Sequence, residues 1–333
     1  MRISASIYSD KARTLEETIR DLANHHVDLL HVDCNDDLSV FEDIRQIRTW
    51  CSIPIDLHII TPSPSKYYSL LKEVPVEYVT FQYEDLKEPL VIPQDVPGKK
   101  GLSLVSPTPI DVFDGYSNFD FILLMATIPG QSGGVFDSIN FKKIREFKKK
   151  YPEKSVHVDG GVNGEVSFIL RNMGVHTSVS GSYLFKAPSV GHALMDLTKR
   201  NVNSQFKIKD FMIPLSESPS ISEEASTLEA LTQIEKGDLG FTLILKQDGT
   251  LSGLLSNADI RKSLLRTKGD FKGESLSQMM NTNPRTIKEN QTVNELLQQI
   301  KKYAFPITYL PVVDASNKAK GIITFVNLIK GEI

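Results

Sequence analysis

Hydrophobic residues in the first half of the chain come in short β-branched runs, separated by segments whose apolar positions recur at helical spacing. The runs Ile3–Ile7, Leu29–Cys34, Ile53–Ile59, Tyr78–Tyr83, Gly101–Val105, Phe121–Thr127, Ser155–Val158 and Thr177–Ser180 read as strands. Thr14 with Glu17, and Ser39 with Glu42, form capping-box patterns ahead of helices over Thr18–His25 and Ile44–Trp50. Ser65–Glu73, Ile139–Lys149, Gly164–Met173 and Ser189–Val202 are further helical segments. The stretch Glu84–Gly98 holds Pro89, Pro93 and Pro97, so a helix there is short or missing. Eight βα units within about 200 residues predict a closed (β/α)8 barrel, an α/β fold, rather than an open sheet.

After the polar segment Asn201–Lys209 the pattern changes, then repeats. Asp210-Phe-Met-Ile-Pro214 is echoed by Ser277-Gln-Met-Met-Asn-Thr-Asn-Pro284. Each copy continues with a β-then-helix segment, Ser220–Ile234 and Thr286–Lys301. Two short apolar strands follow, about turns at Gln247–Gly249 and Asp314–Asn317, and each copy closes on a glycine-strand-helix element, Gly253–Leu264 and Gly321–Ile329. A repeat of roughly 65 residues predicts a two-fold paired module. The expected domains are 1–200, 207–270 and 271–333.

Composition narrows the function classes. The chain has 333 residues, 40% of them hydrophobic and 24% charged, with a formal net charge of -3. It carries no basic tail or stripe, so no nucleic-acid partner is implied; Lys148–Lys150 reads as a solvated helix end. Two cysteines, Cys34 and Cys51, exclude a disulfide scaffold and point to a reducing, cytoplasmic compartment. The opening residues lack the apolar core of a signal peptide, and no apolar run reaches the roughly 18 residues of a membrane span.

The candidate chemistry sits on the predicted strands. In His31-Val-Asp33 the polar residues share one strand face, and Asp56-Leu-His58 and His157-Val-Asp159 repeat that grammar. Functional residues of barrels gather at C-terminal strand ends, where His31, Asp33, His58 and Asp159 converge as two imidazoles and two carboxylates. Such a set suits zinc or another divalent first-row metal. Asp56 and His157, one pleat back, read as polar core partners or as groups orienting the ligands. Glycines follow the last three strands, in Pro129-Gly-Gln-Ser-Gly-Gly134, Gly160-Gly161 and Gly181-Ser182. Backbone amides there can approach an anion closely, which points to a phosphate.

These motifs resemble those of ribulose-phosphate 3-epimerases over about residues 2–187. Ala5-Ser-Ile-Tyr-Ser-Asp10, His31-Val-Asp33, Asp56-Leu-His58, Met125 with Pro129-Gly130, Asp159-Gly-Gly161 and Gly181-Ser-Tyr-Leu-Phe185 fall in the family's order. The resemblance implies a divalent metal, commonly zinc, on His31, Asp33, His58 and Asp159, with Asp33 and Asp159 as the acid/base pair. Ser6 would orient the site, Met125 would pack beside the reacting carbons, and Gly133, Gly134, Gly160, Gly161, Gly181 and Ser182 would surround the phosphate of a small sugar. Departures from the family lie at Asn35-Asp36-Asp37, at the short segment from Asp36 to Asp56, and at Ile60, Gln82, Ser106 and Ile128. They leave the catalytic set intact and point to a changed substrate rim.

The repeat resembles a tandem cystathionine-β-synthase-type (CBS) pair over about residues 207–333. The implied fold is a TIM barrel followed by an α+β tandem CBS pair. Gly253-Leu-Leu-Ser256-Asn-Ala-Asp259 is similar to the ribose-binding signature of these modules, and Gly321-Ile-Ile-Thr324-Phe-Val-Asn327 is its second copy, with Asn327 in place of the usual acid. The implied ligand is an adenine nucleotide or sugar nucleotide held by Gly253, Ser256, Asp259, Thr324 and Asn327, and paired modules of this kind imply a homo-oligomer. The alternatives are a scaffold in which Asp259 only caps a helix, and a catalytically silent phosphosugar or nucleotide sensor. Aldolase chemistry is disfavoured, since the strand ends lack a Schiff-base lysine.

Overall fold

The computed structural model describes residues 1–130, 133–198, 206–270, 274–303 and 307–326. They fall into two compact units, Met1–Val202 and Asn203–Val326.

The first unit is a closed barrel of parallel strands: β1 (Arg2–Ser6), β2 (Leu29–Asn35), β3 (Ile55–Ile60), β4 (Tyr78–Gln82), β5 (Lys99–Val105), β6 (Phe121–Met125), β7 (Ser155–Asp159) and β8 (Thr177–Ser180), with β8 returning to pair with β1. Strands covered on both faces read as nearly continuous apolar runs, which is why these segments are so dense in Ile, Leu and Val. Leu29, Tyr78 and Phe121 form a packed cluster inside the wall. Their place at the starts of β2, β4 and β6 closes the N-terminal end and leaves the inward residues of the C-terminal strand ends for chemistry.

Helices α1 (Leu15–Asn24), α2 (Val40–Trp50), α3 (Tyr68–Glu73), α4 (Ile139–Lys150), α5 (Gly164–Asn172), α6 (Ser182–Lys186) and α7 (Val190–Thr198) supply the outer layer. The Thr14/Glu17 capping box forms as expected. The Ser39/Glu42 box does not. Ser39 is already helical at φ -63° and ψ -20°, its side chain caps nothing, and Asp37 Oδ1 instead accepts its N–H at 2.9 Å. The helix nevertheless starts at Val40 directly after Ser39, four residues ahead of the Ile44 start read from the apolar spacing. After β4 and β5 the crossovers hold only 3₁₀ turns, Tyr83–Asp85 and Ile110–Tyr116, in keeping with the proline spacing after Glu84.

The second unit has two sheets built the same way. One contains β10 (Ser220–Ser222), β11 (Phe241–Leu245) and β12 (Leu251–Ser256). The other contains β13 (Ile287–Lys288), β14 (Tyr309–Val313) and β15 (Ala319–Thr324), completed by β9 (Ile213–Pro214) from the opposite repeat. The exchange is reciprocal: Asn281 of the second repeat bridges to Leu254 on β12. Phe241, Leu243, Leu251 and Leu254 share one core with Val313 and Ile322, so the repeats fold as one body.

This exchange explains the glycine that opens each closing element. A Cβ on Gly321 would overlap the carbonyl oxygen of Ile213, and one on Gly253 would lie 2.8 Å from the carbonyl oxygen of Asn281. Both glycines admit the crossing strand of the other repeat. Gly321→Ala is expected to destabilise this unit by about 3 kcal/mol, the overpacking range, because the obstacle is backbone and cannot rotate away. The urea midpoint of the variant measures it; an unchanged midpoint would show that the crossing strand is dispensable.

Candidate active site

Strand alternation and register assemble the polar cluster. His31 and Asp33 point inward from β2, and the β2–β3 register sets Asp33 beside His58 and His31 beside Asp56. Asp159 ends β7 next to Met125 of β6. One ligand atom from each of His31, Asp33, His58 and Asp159 lies within 4.8 Å of the others. His31 Nε2 is 3.3 Å from Asp33 Oδ1 and 3.7 Å from Asp159 Oδ2, and His58 Nδ1 is 3.4 Å from Asp33 Oδ1. Both imidazoles are fully buried, while each aspartate side chain keeps 18% exposure toward the barrel mouth.

Three of these atoms, His31 Nε2, Asp33 Oδ1 and His58 Nδ1, are buried and make no hydrogen bond. Buried polar atoms are normally paired, and leaving three unpaired at one point is costly. A divalent ion among two nitrogens and two carboxylates would satisfy them all, so the donor set fits a metal of the zinc type.

Neighbouring groups aim each imidazole. His31 Nδ1 lies 2.9 Å from Asp56 Oδ2, which also accepts from Ser4 Oγ at 3.0 Å. That contact leaves Nε2 for the cluster. His58 Nε2 faces Gln82 Oε1 at 2.9 Å, which leaves Nδ1. Gln82 is fully buried on β4 and does not line the cavity, so this departure bears on His58 and not on the substrate rim expected from the sequence. Asp56, expected as a polar core partner or orienting group, is buried against the His31 ring. His157 does not act as a hydrogen-bonded partner: neither ring nitrogen is bonded, and the ring stacks on Phe121 at 4.2 Å and on His176 at 5.5 Å. Burial pushes its pKa down to about 3, keeping it neutral.

The two cluster aspartates are driven apart. Burial, reinforced by the charge of Asp33, pushes Asp159 up to about 6 despite the opposing His31 and His58. Burial penalises Asp33 as well, yet His31 and His58 beside it together outweigh that and hold its carboxyl far below the usual range. For His31, burial opposes the charged ring, but Asp56 and Asp33 overcome it and raise its pKa well above the ordinary value.

A cavity of about 730 Å³ opens above the cluster. Ser6, Asp33, Gly133, Gly134, Asp159, Gly160, Gly161, Gly181 and Ser182 all line it. Gly160 has φ +111°, and a Cβ there would overlap the Thr127 side chain, so only glycine lets the β7 loop fold against that wall. Ser6 Oγ meets Ser9 Oγ at 3.1 Å. Met125 is buried in β6 and is not among the lining residues; its carbonyl accepts from Ser106 Oγ at 3.2 Å. Asn35, read in the sequence as a departure from the family, also lines the cavity, as do Tyr8 within the opening motif and Lys11 beside it. Thr127, Lys186, His192 and Asp196 line it too and carry no local pattern.

In the second unit, Ser256 and Asp259 form a capping box on the helix Asn257–Arg266. Asp259 Oδ2 accepts from Ser256 N–H at 3.1 Å and Oγ at 2.6 Å. Gly253 faces the crossing Asn281 segment and Thr324 ends β15, while Asn327 lies outside the described residues.

A closed parallel barrel with a His/Asp cluster and a glycine-lined cavity at the C-terminal strand ends has the layout in which barrel enzymes place their active sites. The ribulose-phosphate 3-epimerase family model matches residues 2–185, and the chain belongs to that family, making it a sugar-phosphate epimerase, an isomerase. A CBS domain model matches residues 276–332. The ribulose-phosphate 3-epimerase of Methanocaldococcus jannaschii is 27% identical over 63% of this chain and 97% of its own length. That of Bacillus subtilis is 25% identical over 56% and 92%. The cytoplasmic isoform of Oryza sativa subsp. japonica is 26% identical over 62% and 96%. The solved structure of CBSX2 in complex with AMP is 22% identical over 38% of this chain and 96% of that one, at a TM-score of 0.32. No described helix is long and apolar enough to cross a membrane.

Proposed function

We propose that the barrel interconverts D-ribulose 5-phosphate and D-xylulose 5-phosphate, or a close ketose-phosphate analogue, with one of Asp33 and Asp159 removing the C3 proton from one face and the other donating a proton to the opposite face. The observation that carries this reading is the convergence of His31, Asp33, His58 and Asp159 at the floor of a glycine-lined cavity. Epimerisation beside a ketone removes a proton on one face and returns one on the other, so one carboxyl must start ionised and the other protonated. The opposite shifts of the two carboxyls support that division of roles, with Asp33 the more readily ionised and Asp159 the one that more readily takes a proton, and reversal exchanges them. His31, Asp33, His58 and Asp159 would hold a divalent ion, zinc by donor type, which would supply Lewis-acid stabilisation of negative charge on the substrate oxygen. Gly133, Gly134, Gly160, Gly161, Gly181 and Ser182 receive the phosphate, Ser6 orients the near end, and Met125 backs the reacting carbons. Turnover of D-ribulose 5-phosphate by the purified protein, read by chromatographic separation of the epimers, tests the assignment. A metal-loaded protein that converts neither pentulose nor hexulose phosphates would favour the silent sensor.

For residues 207–270 and 271–333, taken as the two CBS repeats after a barrel of 1–200, we infer an adenine- or sugar-nucleotide ligand that regulates a cytoplasmic homo-oligomer. Gly253, Ser256, Asp259, Thr324 and Asn327 are its contacts. Asp259 keeps Oδ1 outside the capping box, 3.6 Å from Lys262 Nζ, available to ribose hydroxyls. The cap itself favours the second reading, a scaffold. Calorimetry with AMP, ADP, ATP and sugar nucleotides decides between them. Binding that falls at least about tenfold in Asp259→Ala, a loss of roughly 1.4 kcal/mol, is expected; no binding to any of them would leave the scaffold.

A further inference from the structure

We propose that Gln82 and Glu84 are positioning residues that fix His58 in its Nε2-protonated tautomer and so preset Nδ1 as a metal ligand. The inference rests on the reading of the cluster as a metal site, and on a chain of contacts running outward from it. His58 is fully buried and touches the cluster through Nδ1, 3.4 Å from Asp33 Oδ1. Its other nitrogen is 2.9 Å from Gln82 Oε1. An amide alone does not settle a histidine tautomer, because oxygen and nitrogen can exchange places by a flip. Here the flip is blocked. Gln82 Nε2 donates to Glu84 Oε2 and lies 3.4 Å from the carbonyl oxygen of Ser103, both of which only accept. The amide nitrogen must face them, so the amide oxygen must face His58.

Glu84 is itself anchored. Its Oε1 accepts from the Val105 N–H at 3.0 Å and from the Thr108 hydroxyl. The carboxylate on the β4 loop is thereby tied to the end of β5, and the amide between them has one orientation. With Gln82 Oε1 as acceptor, His58 Nε2 must donate, and Nδ1 carries its lone pair into the cluster, where it has no other partner.

The two imidazoles are thus held by different chemistry. His31 leans on the carboxylate of Asp56, whereas His58 leans on a neutral amide whose direction is set by a carboxylate one step further out. The first arrangement adds negative charge beside the ligand; the second fixes geometry without adding charge next to the ring.

The test uses the full-length protein and zinc as the probe. In metal-free wild type, ¹⁵N NMR of the histidine side chains, assigned by loss of a signal in His58→Ala, should show Nδ1 of His58 unprotonated and Nε2 protonated. Gln82→Leu should weaken zinc binding about 10- to 100-fold, the usual effect of removing a group that orients a ligand. Glu84→Gln, which keeps the volume but gives Gln82 an alternative donor, should weaken it in the same direction and let both tautomers of His58 appear. Its thermal midpoint, if unchanged, separates this from loss of folding. A protonated Nδ1 in metal-free wild type overturns the proposal, as does wild-type zinc affinity in both variants. Wild type that binds no zinc while showing the expected tautomer contradicts the metal reading and leaves the positioning of His58 standing.

Discussion

Asp33→Asn and Asp159→Asn are each expected to lower kcat for ketose-phosphate epimerisation by about a thousandfold, within the range for losing a general acid or base. The two carboxylates sit at the ends of β2 and β7, both bordering the cavity, and are shifted in opposite directions by their surroundings. Epimerisation needs both in each turnover, so the double variant should be scarcely slower than either single one. Binding of the phosphate end should survive, since the glycine-lined loops lie on other residues. Each aspartate also belongs to the cluster proposed to hold the metal, so zinc content must be measured beside turnover. A variant that retains zinc and more than about a tenth of wild-type kcat would remove that residue from the acid/base pair.

Stripping the metal with a chelator is expected to bring turnover to background, with recovery on adding back zinc. The same site makes uptake acid-sensitive, and the sign follows from the shifts. Asp159 is raised to about 6, so below that pH a proton occupies the carboxylate the ion needs. His31, raised by Asp56 and Asp33, holds a second proton that the ion must displace. Apparent zinc affinity should therefore fall by about tenfold or more per pH unit below 6. The raised Asp159 also acts on the metal-free fold. Its folded value exceeds its unfolded one, so its contribution to stability is present at low pH and is lost as pH rises toward 6 and beyond. Zinc titrations at pH 5, 6 and 7 measure the first effect. Equal affinity at all three would show that neither group binds the ion, and full turnover by protein shown to be metal-free would exclude a catalytic ion.

The barrel was legible in the sequence because parallel strands leave dense apolar runs, and because inward residues keep a period of two that displays His31/Asp33 and Asp56/His58 as pairs. What lay beyond reach was cross-strand identity. Nothing local in Gln82 says that His58 meets it, and as an unusual residue it read as part of the rim until its burial and its contact with His58 Nε2 set it against that imidazole. His157 shares the grammar of the ligand pairs, but its depth puts it among aromatic rings instead of polar atoms. The packing duty of Gly253 and Gly321 was out of reach for a related reason: the strand that each admits comes from the other repeat, far away in sequence. Ser39 misled at shorter range, since Asp37 two residues earlier competes for the same capping duty.

The most direct test of the account is to incubate the zinc-loaded wild-type protein with D-ribulose 5-phosphate in deuterium oxide and follow C3 by NMR. Proton transfer by Asp33 and Asp159 predicts D-xylulose 5-phosphate carrying solvent deuterium at C3. Zinc-loaded protein that leaves the C3 proton unexchanged in both pentulose and hexulose phosphates would contradict it.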